Sequence, residues 1–374
     1  MDKSIIHGCI DFLNEYDSFH PCPSHKAAIP KWMEEFEDAL EYAVPCDEID
    51  VHTYSADVQD IFTMFISSAS STQWADRSVE ERQKQVAALI DTLQVQQRSP
   101  AWYAQSKTVL SASEFSNILG TPRSVANLAL QKAAPVSTMS SGAACSTMSM
   151  SAFDWGIRFE PVVKQILNAI WGCEIAEVGR FIHPVDTRLA ASPDGIILTA
   201  ADLKRVGRLL EIKCPVRREI NGKIPFEYWC QMQIQMEVTG LDECEYVEMK
   251  LAAAYKDSQY SVPTEDIGIM YSGKIWLFQC VETCELKYAY TSLEKKDLEL
   301  LEWHYLEEIP WHLEKFFTET VSRDPSWFES TKQKQEEFWL RVADAHNGLV
   351  EPSKRRVKPP TVQVCQIMDD VGSA

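Results

Sequence analysis

Two short segments carry the residue types best suited to chemistry. Ser192-Pro193-Asp194-Gly195 is followed, with 16 residues between Asp194 and Glu211, by Glu211-Ile212-Lys213. Side chains two apart on a strand share a face, so Glu211 and Lys213 project together while Ile212 faces the core. If Asp194 ends the neighbouring strand, its carboxylate converges with that of Glu211 on one divalent cation. Such an ion takes hard oxygen ligands and keeps several waters, and the Ile212 carbonyl is a further candidate ligand. Mg²⁺, or Mn²⁺ in its place, would lower the pKa of a bound water and neutralise charge on a phosphate oxygen, while Lys213 orients or helps to deprotonate that water. This is metal-assisted phosphodiester hydrolysis. Taken alone, the same residues also read as a common turn and a solvated strand face. The flanks favour the chemical reading. Glu160, in Trp155-Gly156-x-x-x-Glu160-Pro161, adds an acid on the preceding helix, and Gln231 and Gln235 share one face of the following helix at i, i+4 while Gln233 faces elsewhere.

The elements that must position these groups are legible from periodicity. Ala152 to Ile170 reads as a helix, Phe181-Ile182, Ile196 to Leu198 and Arg208 to Lys213 as short strands, and Glu227 to Val238 as a second helix. Glu245 to Leu251 and Lys274 to Val281 follow as strands, and Leu293 to Thr320 reads as a long amphipathic helix broken at Pro310. Helix, strands, helix, strand is the order of an α/β (α+β) layered fold. Upstream, Ile29 to Tyr42, Val58 to Ile66 and Val79 to Leu93 have helical spacing, and Met139 to Ser151 reads as a flexible loop.

The motifs resemble a known family. Gly156-x-x-x-Glu160-Pro161, Ala191-Ser192-Pro193-Asp194-Gly195, Leu210-Glu211-Ile212-Lys213-Cys214-Pro215 and Tyr228-x-x-Gln231-x-Gln233 look like the consecutive motifs of the YqaJ-type viral recombinase nucleases. That group includes the phage lambda exonuclease and belongs to the PD-(D/E)XK superfamily. Arg98 to Trp102 and Leu110 to Glu114 look like its opening motif, so the likeness runs from about Arg98 to Leu251.

The resemblance implies a restriction-endonuclease-like PD-(D/E)XK core, a mixed β-sheet flanked by helices. It assigns Asp194 and Glu211 to the metal, Lys213 to water activation, Glu160 to the metal shell and Gln231 to the water or the lysine. Ser113, with Ser111 beside it, would contact a terminal 5′-phosphate. The arginine that grips this phosphate in the phage enzyme aligns with Ser106, leaving Lys107 or Arg98 as substitutes, with Arg217 and Arg218 as further DNA contacts. A further acid of the phage enzyme aligns with Pro184, with Asp186 nearby. The implied activity is a 5′ to 3′ exonuclease on double-stranded DNA ends that leaves 3′ tails, in a ring-shaped homo-oligomer. A structure-specific endonuclease and a catalytically silent DNA-binding protein are the alternatives.

Composition bounds the rest. The chain has 374 residues with 45% hydrophobic and 24% charged, ordinary globular usage that excludes a largely disordered or low-complexity chain. No apolar run is long enough to span a membrane and the N-terminus lacks signal-peptide order, so a soluble intracellular protein is expected. Eleven scattered cysteines without a CxxC pair read as reduced thiols, and His20, Cys22 and His25 fit no standard zinc spacing. The net charge of −19 is uneven: residues 1–97 hold 18 acids and 6 bases, a net of −12. The expected organisation is an acidic helical unit at 1–95, a nuclease domain at 96–325, and a C-terminal helix with a basic tail at 326–374. The acidic unit is a candidate docking site for a single-strand annealing or replication protein. Lys204, Arg205, Arg208, Lys213, Arg217, Arg218 and Lys223 predict a basic patch at the site that holds phosphates despite the overall acidity.

Overall fold

The computed structural model describes residues 77–135, 144–256, 260, 271–291 and 303–351. The expected helices at 29–42 and 58–66, the His20 to His25 segment, most of the acidic unit, the first part of the 139–151 loop and the basic tail lie outside the described residues.

Seven helices and ten strands are formed among the described residues. The helices are α1 Val79–Ile90, α2 Pro100–Gln105, α3 Ser116–Leu119, α4 Pro122–Ala133, α5 Ala152–Trp171, α6 Phe226–Thr239 and α7 Pro325–His346. The strands are β1 Leu110–Ser111, β2 Glu174–Ala176, β3 Phe181–Ile182, β4 Leu189–Ala191, β5 Gly195–Thr199, β6 Leu209–Lys213, β7 Glu243–Ala253, β8 Ser272–Cys280, β9 Leu286–Tyr290 and β10 Trp303–Ser322. Seven strands form one sheet in the order β2-β5-β6-β7-β10-β8-β9, in which only the β6–β7 pair is parallel. A small second sheet has the order β1-β4-β3. This is the mixed sheet flanked by helices that the sequence predicts.

Two of the long helices are started by a capping box. Ser151 caps α5 in a capping box with Asp154, and Ser78 does the same for α1 with Glu81, each pair satisfying otherwise orphaned backbone donors. Helix α5 ends on Gly172 at φ 52°, a left-handed position that glycine takes without a Cβ clash. The alternation of β6 then divides the core. Leu210 and Ile212 pack toward Trp155, Phe159, Val163 and Ile166 of α5, whereas Leu209 joins Met232 and Met236 of α6 on the other face. Glu211 and Lys213 therefore face α6. Arg158 of α5, with 0% exposure, donates to the Tyr288 hydroxyl at 3.1 Å, Thr147 Oγ1 at 3.0 Å and the Cys145 carbonyl at 2.9 Å, tying the entry loop and β9 to the helix. Arg82 of α1 donates to the carbonyls of Leu203, Lys204 and Val206, so this helix, expected to belong to the N-terminal unit, is docked on the β5–β6 connection.

One expected element is overturned. The segment read as a helix over 293–320 is, from Trp303 onward, the 20-residue strand β10, which lies between β7 and β8. Two register shifts, at Tyr305/Glu307 and Leu313/Lys315, interrupt the period-2 alternation and leave exposed runs at 304–306 and 314–316. Without a clean alternation the apolar spacing imitates a helix. Pro310 is tolerated because β7 pairing begins only at Trp311, so at Pro310 the strand has one neighbour.

Two glycines separate packing from freedom. A Cβ on Gly195 would lie 2.5 Å from Ile175 Cγ2 and 3.1 Å from the Ala176 carbonyl, whereas one on Gly156 would meet nothing within 4 Å. Gly195→Ala is expected to cost about 1–3 kcal/mol by overpacking, and Gly156→Ala, inside α5, to gain up to about 1 kcal/mol from helix propensity. Urea unfolding of the two variants checks this; equal effects of the same sign would contradict it.

Candidate active site

A single cleft of about 890 Å³ gathers the predicted residues. Asp194 sits immediately before β5, whose antiparallel pairing sets Gly195 opposite Leu210 of β6. Its backbone N–H donates to the Leu210 carbonyl at 3.0 Å, and its Oδ2 accepts from the Ile212 N–H at 2.7 Å. The Asp194 carboxylate is thereby pinned beside the Glu-x-Lys strand. Glu211 is 1% exposed, with one carboxylate oxygen accepting from Lys213 Nζ and the other from Gln235 Nε2 at 2.6 Å. Lys213 also donates to Gln231 Oε1 at 3.2 Å and lies 4.5 Å from the centre of the Tyr228 ring.

This contact set follows from two repeats that match. Residues i and i+4 of a helix rise about 6 Å, and residues i and i+2 of a strand about 6.6 Å. Gln231 and Gln235 of α6 thus stand opposite Lys213 and Glu211 of β6. Gln233, on the other side of α6, instead donates to the Ser322 carbonyl and accepts from the Asp324 N–H.

The electrostatics of the site are unbalanced. Burial pushes the Asp194 carboxyl well above its usual range, and the Glu211 and Glu160 charges push it in the same direction. Burial works against the Lys213 ammonium, but Glu211 and Asp194 outweigh it and hold its pKa above the ordinary lysine value. Lys213 is therefore a cation at neutral pH, suited to donating hydrogen bonds. Asp194 and Glu211 against one ammonium leave a negative excess that a divalent cation would relieve, and carboxylate oxygens are the ligands such an ion takes. The residues fit Mg²⁺ or Mn²⁺: Asp194 and Glu211 would hold it, with the Ile212 carbonyl adjacent. Among the described residues no three His, Cys, Asp or Glu side chains are gathered as a metal group, so most of the ion's ligands would be waters.

Other expected residues fall on both sides of the cleft boundary. Arg98, Ser111, Ser113, Glu160, Arg217 and Arg218 line the cleft. Glu160, expected in the metal shell, projects from α5 into the same cleft and pairs with Lys164 at 2.9 Å and Arg98 at 3.7 Å. Lys107 is not brought to the cleft; its ammonium donates to the Gln131 carbonyl at 2.8 Å. Asp186 is held by Arg188 and lines a separate depression with His183.

The predicted basic patch is divided. Lys213, Arg217 and Arg218 reach the cleft, but Arg208 pairs with Glu243 and Glu245, and Arg205 pairs with Glu245 and stacks on Trp171. A strand rises about 3.3 Å per residue, so Arg208 and Lys213 stand roughly 16 Å apart at opposite ends of β6. Proximity in sequence placed them together; the extended backbone separates them.

Sequence reasoning missed Arg180 and the buried Lys132–Glu114 pair at 2.7 Å. The available signal for Arg180 was a lone base abutting the apolar Phe181-Ile182 strand with no acid beside it.

The cleft, with an acid before one strand and Glu-x-Lys on its antiparallel neighbour, is the arrangement of a PD-(D/E)XK-type core. Residues 101–242 match the family model of the YqaJ-like viral recombinase domain, the family that the motifs resemble. A protein of Acanthamoeba polyphaga mimivirus is 36% identical over 107 residues, covering 26% of this chain and 20% of that protein. A protein of African swine fever virus is 30% identical over 164 residues, covering 37% of this chain and 45% of its own length. The chain thus spans less than half the length of these viral relatives. Among solved structures, the alkaline exonuclease LHK-Exo of Laribacter hongkongensis aligns with a TM-score of 0.40 at 19% identity, over 67% of this chain and 96% of that one, and the same figures hold for its complex with dAMP. No helix among the described residues is long and apolar enough to cross a membrane.

The charge imbalance has a measurable consequence. An acid whose pKa is raised on folding contributes stability that is present below its unfolded value near 4 and lost as pH rises through the folded value. Asp194→Asn removes that loss while keeping an acceptor for the Ile212 N–H. In EDTA the variant is expected to melt above the wild type, by a margin that grows from about pH 5 to pH 8. A lower melting temperature for the variant at pH 8 would contradict the charge conflict.

Proposed function

We propose that the chain is a metal-dependent nuclease that hydrolyses phosphodiester bonds in DNA. The observation that carries this reading is the convergence of Asp194, Glu211 and Lys213 in one cleft that also holds Arg98, Arg217 and Arg218. A cation bound by Asp194 and Glu211 would supply Lewis acidity to a water and to the phosphate. The protein's own groups do the positioning. Gln231 and the Tyr228 ring hold the Lys213 ammonium where it donates to the attacking water or a phosphate oxygen. Gln235 fixes the second oxygen of Glu211, which leaves the carboxylate one orientation. Arg217 stands exposed on the rim, and Arg218 pairs with the buried Glu248, so Arg217 is the more available to a DNA backbone. No covalent intermediate is required.

The finer reading is an exonuclease that acts 5′ to 3′ on double-stranded ends and yields 5′-phosphomonoesters and a 3′ tail, serving viral DNA recombination, replication or repair. The motif series supports it, as does the match to a YqaJ-like viral recombinase domain. A homo-oligomeric ring and a single-strand annealing or replication partner for the acidic N-terminal unit belong to the same proposal.

The test is digestion of linear and covalently closed circular duplexes of one sequence, with Mg²⁺ or EDTA. The linear duplex should be degraded only with Mg²⁺ and the circle left intact. Lys213→Ala should lower the rate by at least about 10²-fold, the scale of one lost electrostatic contact to a developing charge. Cutting of the circle would favour an endonuclease, and undiminished Lys213→Ala activity would remove the proposed site.

A further inference from the structure

We infer that Arg180 anchors a phosphate group of the bound DNA strand, in a subsite at the Trp102–Ser113 end of the cleft. The inference rests on the nuclease reading for its ligand and extends it to a residue outside the motif series.

Arg180 is 2% exposed and lines the cleft. Among the described residues its guanidinium makes one hydrogen bond, to a neutral acceptor, the Trp102 carbonyl, at 2.9 Å, and lies 4.1 Å from the centre of the Trp102 ring. Among the described residues no carboxylate stands within ion-pair distance of it. The nearest candidate, Glu114, is already committed: one oxygen, Oε2, accepts from the Ser111 N–H at 3.0 Å, the Ser111 hydroxyl at 2.6 Å and Lys132 Nζ at 2.7 Å. Arg180, Lys132 and Glu114 together leave one net positive charge. A buried cation without an anion is a costly arrangement, and burial pushes the Arg180 pKa down to about 10 although Glu114 acts against it.

Stability does not explain why the cation is there. The Trp102 carbonyl also accepts from the Ser106 N–H at 3.1 Å, so it would not be orphaned without Arg180. An arriving phosphate would supply the missing anion, and a guanidinium with donors to spare is the side chain that grips phosphate oxygens in pairs. The Ser113 hydroxyl, 3.3 Å from that of Ser111 on the same cleft wall, adds a neutral donor, the Ser111 proton being already given to Glu114. The alternative cations have other engagements: Lys107 is turned to Gln131, and Arg98 faces Glu160.

The phosphate is either a terminal monoester or an internal diester. The experiment uses the full chain in EDTA and measures by fluorescence anisotropy the binding of one duplex bearing a 5′-phosphate or a 5′-hydroxyl, from 50 to 300 mM salt. The variants are Arg180→Met, which keeps an apolar stem on Trp102 but no charge, and Arg180→Lys. Losing a charge-assisted hydrogen bond predicts binding of the 5′-phosphate duplex by Arg180→Met roughly ten- to a hundredfold weaker at low salt. Losing one phosphate contact predicts a slope of log affinity against log salt reduced by about 0.9, and Arg180→Lys should keep the wild-type slope. Melting at or above the wild-type temperature for Arg180→Met would show that the cation is held for binding. A loss confined to the 5′-phosphate duplex assigns the subsite to the strand end, and an equal loss on both duplexes assigns it to an internal phosphate. Binding by Arg180→Met within about twofold of wild type, or weakened binding with an unchanged salt slope, overturns the inference. Because the assay needs no cleavage, a protein that binds through Arg180 but cuts nothing would refute the nuclease reading and leave this one standing.

Discussion

The Asp194 and Glu211 carboxylates repel each other in a desolvated cleft, and the fold holds them together against that repulsion. The restraint is local and backbone-based: Asp194 accepts from the Ile212 N–H, a bond that the antiparallel register of β5 on β6 makes unavoidable. Charge then dictates the surroundings. Lys213 must stay protonated beside Glu211, Gln235 must occupy the other Glu211 oxygen, and the proposed divalent cation would be the remaining partner.

The layers around this pair follow from the alternation of one strand. Leu210 and Ile212 bury against α5 and fix the sheet, which frees Glu211 and Lys213 to meet α6 on the opposite face. A helix repeat of four and a strand repeat of two have nearly equal length, so two glutamines grip both active side chains at once. Gly195 belongs to the same device, because only a residue without Cβ lets β2 approach closely enough to leave Asp194 at the strand's start.

The cleft also gathers cations besides Lys213: Arg98, Arg180 on the Trp102 ring, Arg217 and Arg218 line it. On the proposed reading an acidic molecule would offer these cations to a phosphate chain without a basic surface, because each charge acts over roughly a Debye length of about 10 Å. The bases at the start of β6 play a different part, neutralising the buried Glu243 and Glu245 of β7.

Local spacing alone determined much of this protein. The i, i+2 facing of Glu211 and Lys213, the i, i+4 facing of Gln231 and Gln235, the helix α5 and the short strands β3, β5 and β6 are properties of a few consecutive residues, and the structure has them as read. Tertiary structure decided the rest. The bulged strand β10 could not be told from a helix, because two register shifts break its alternation. Arg208 and Lys107 could not be separated from the cleft, since five extended residues or a single turn of helix carry a side chain to another environment. Arg180 showed only as a lone base abutting an apolar strand, because burial beside a distant tryptophan and the absence of an ion-pair partner are facts about three-dimensional neighbours, which no sequence spacing encodes.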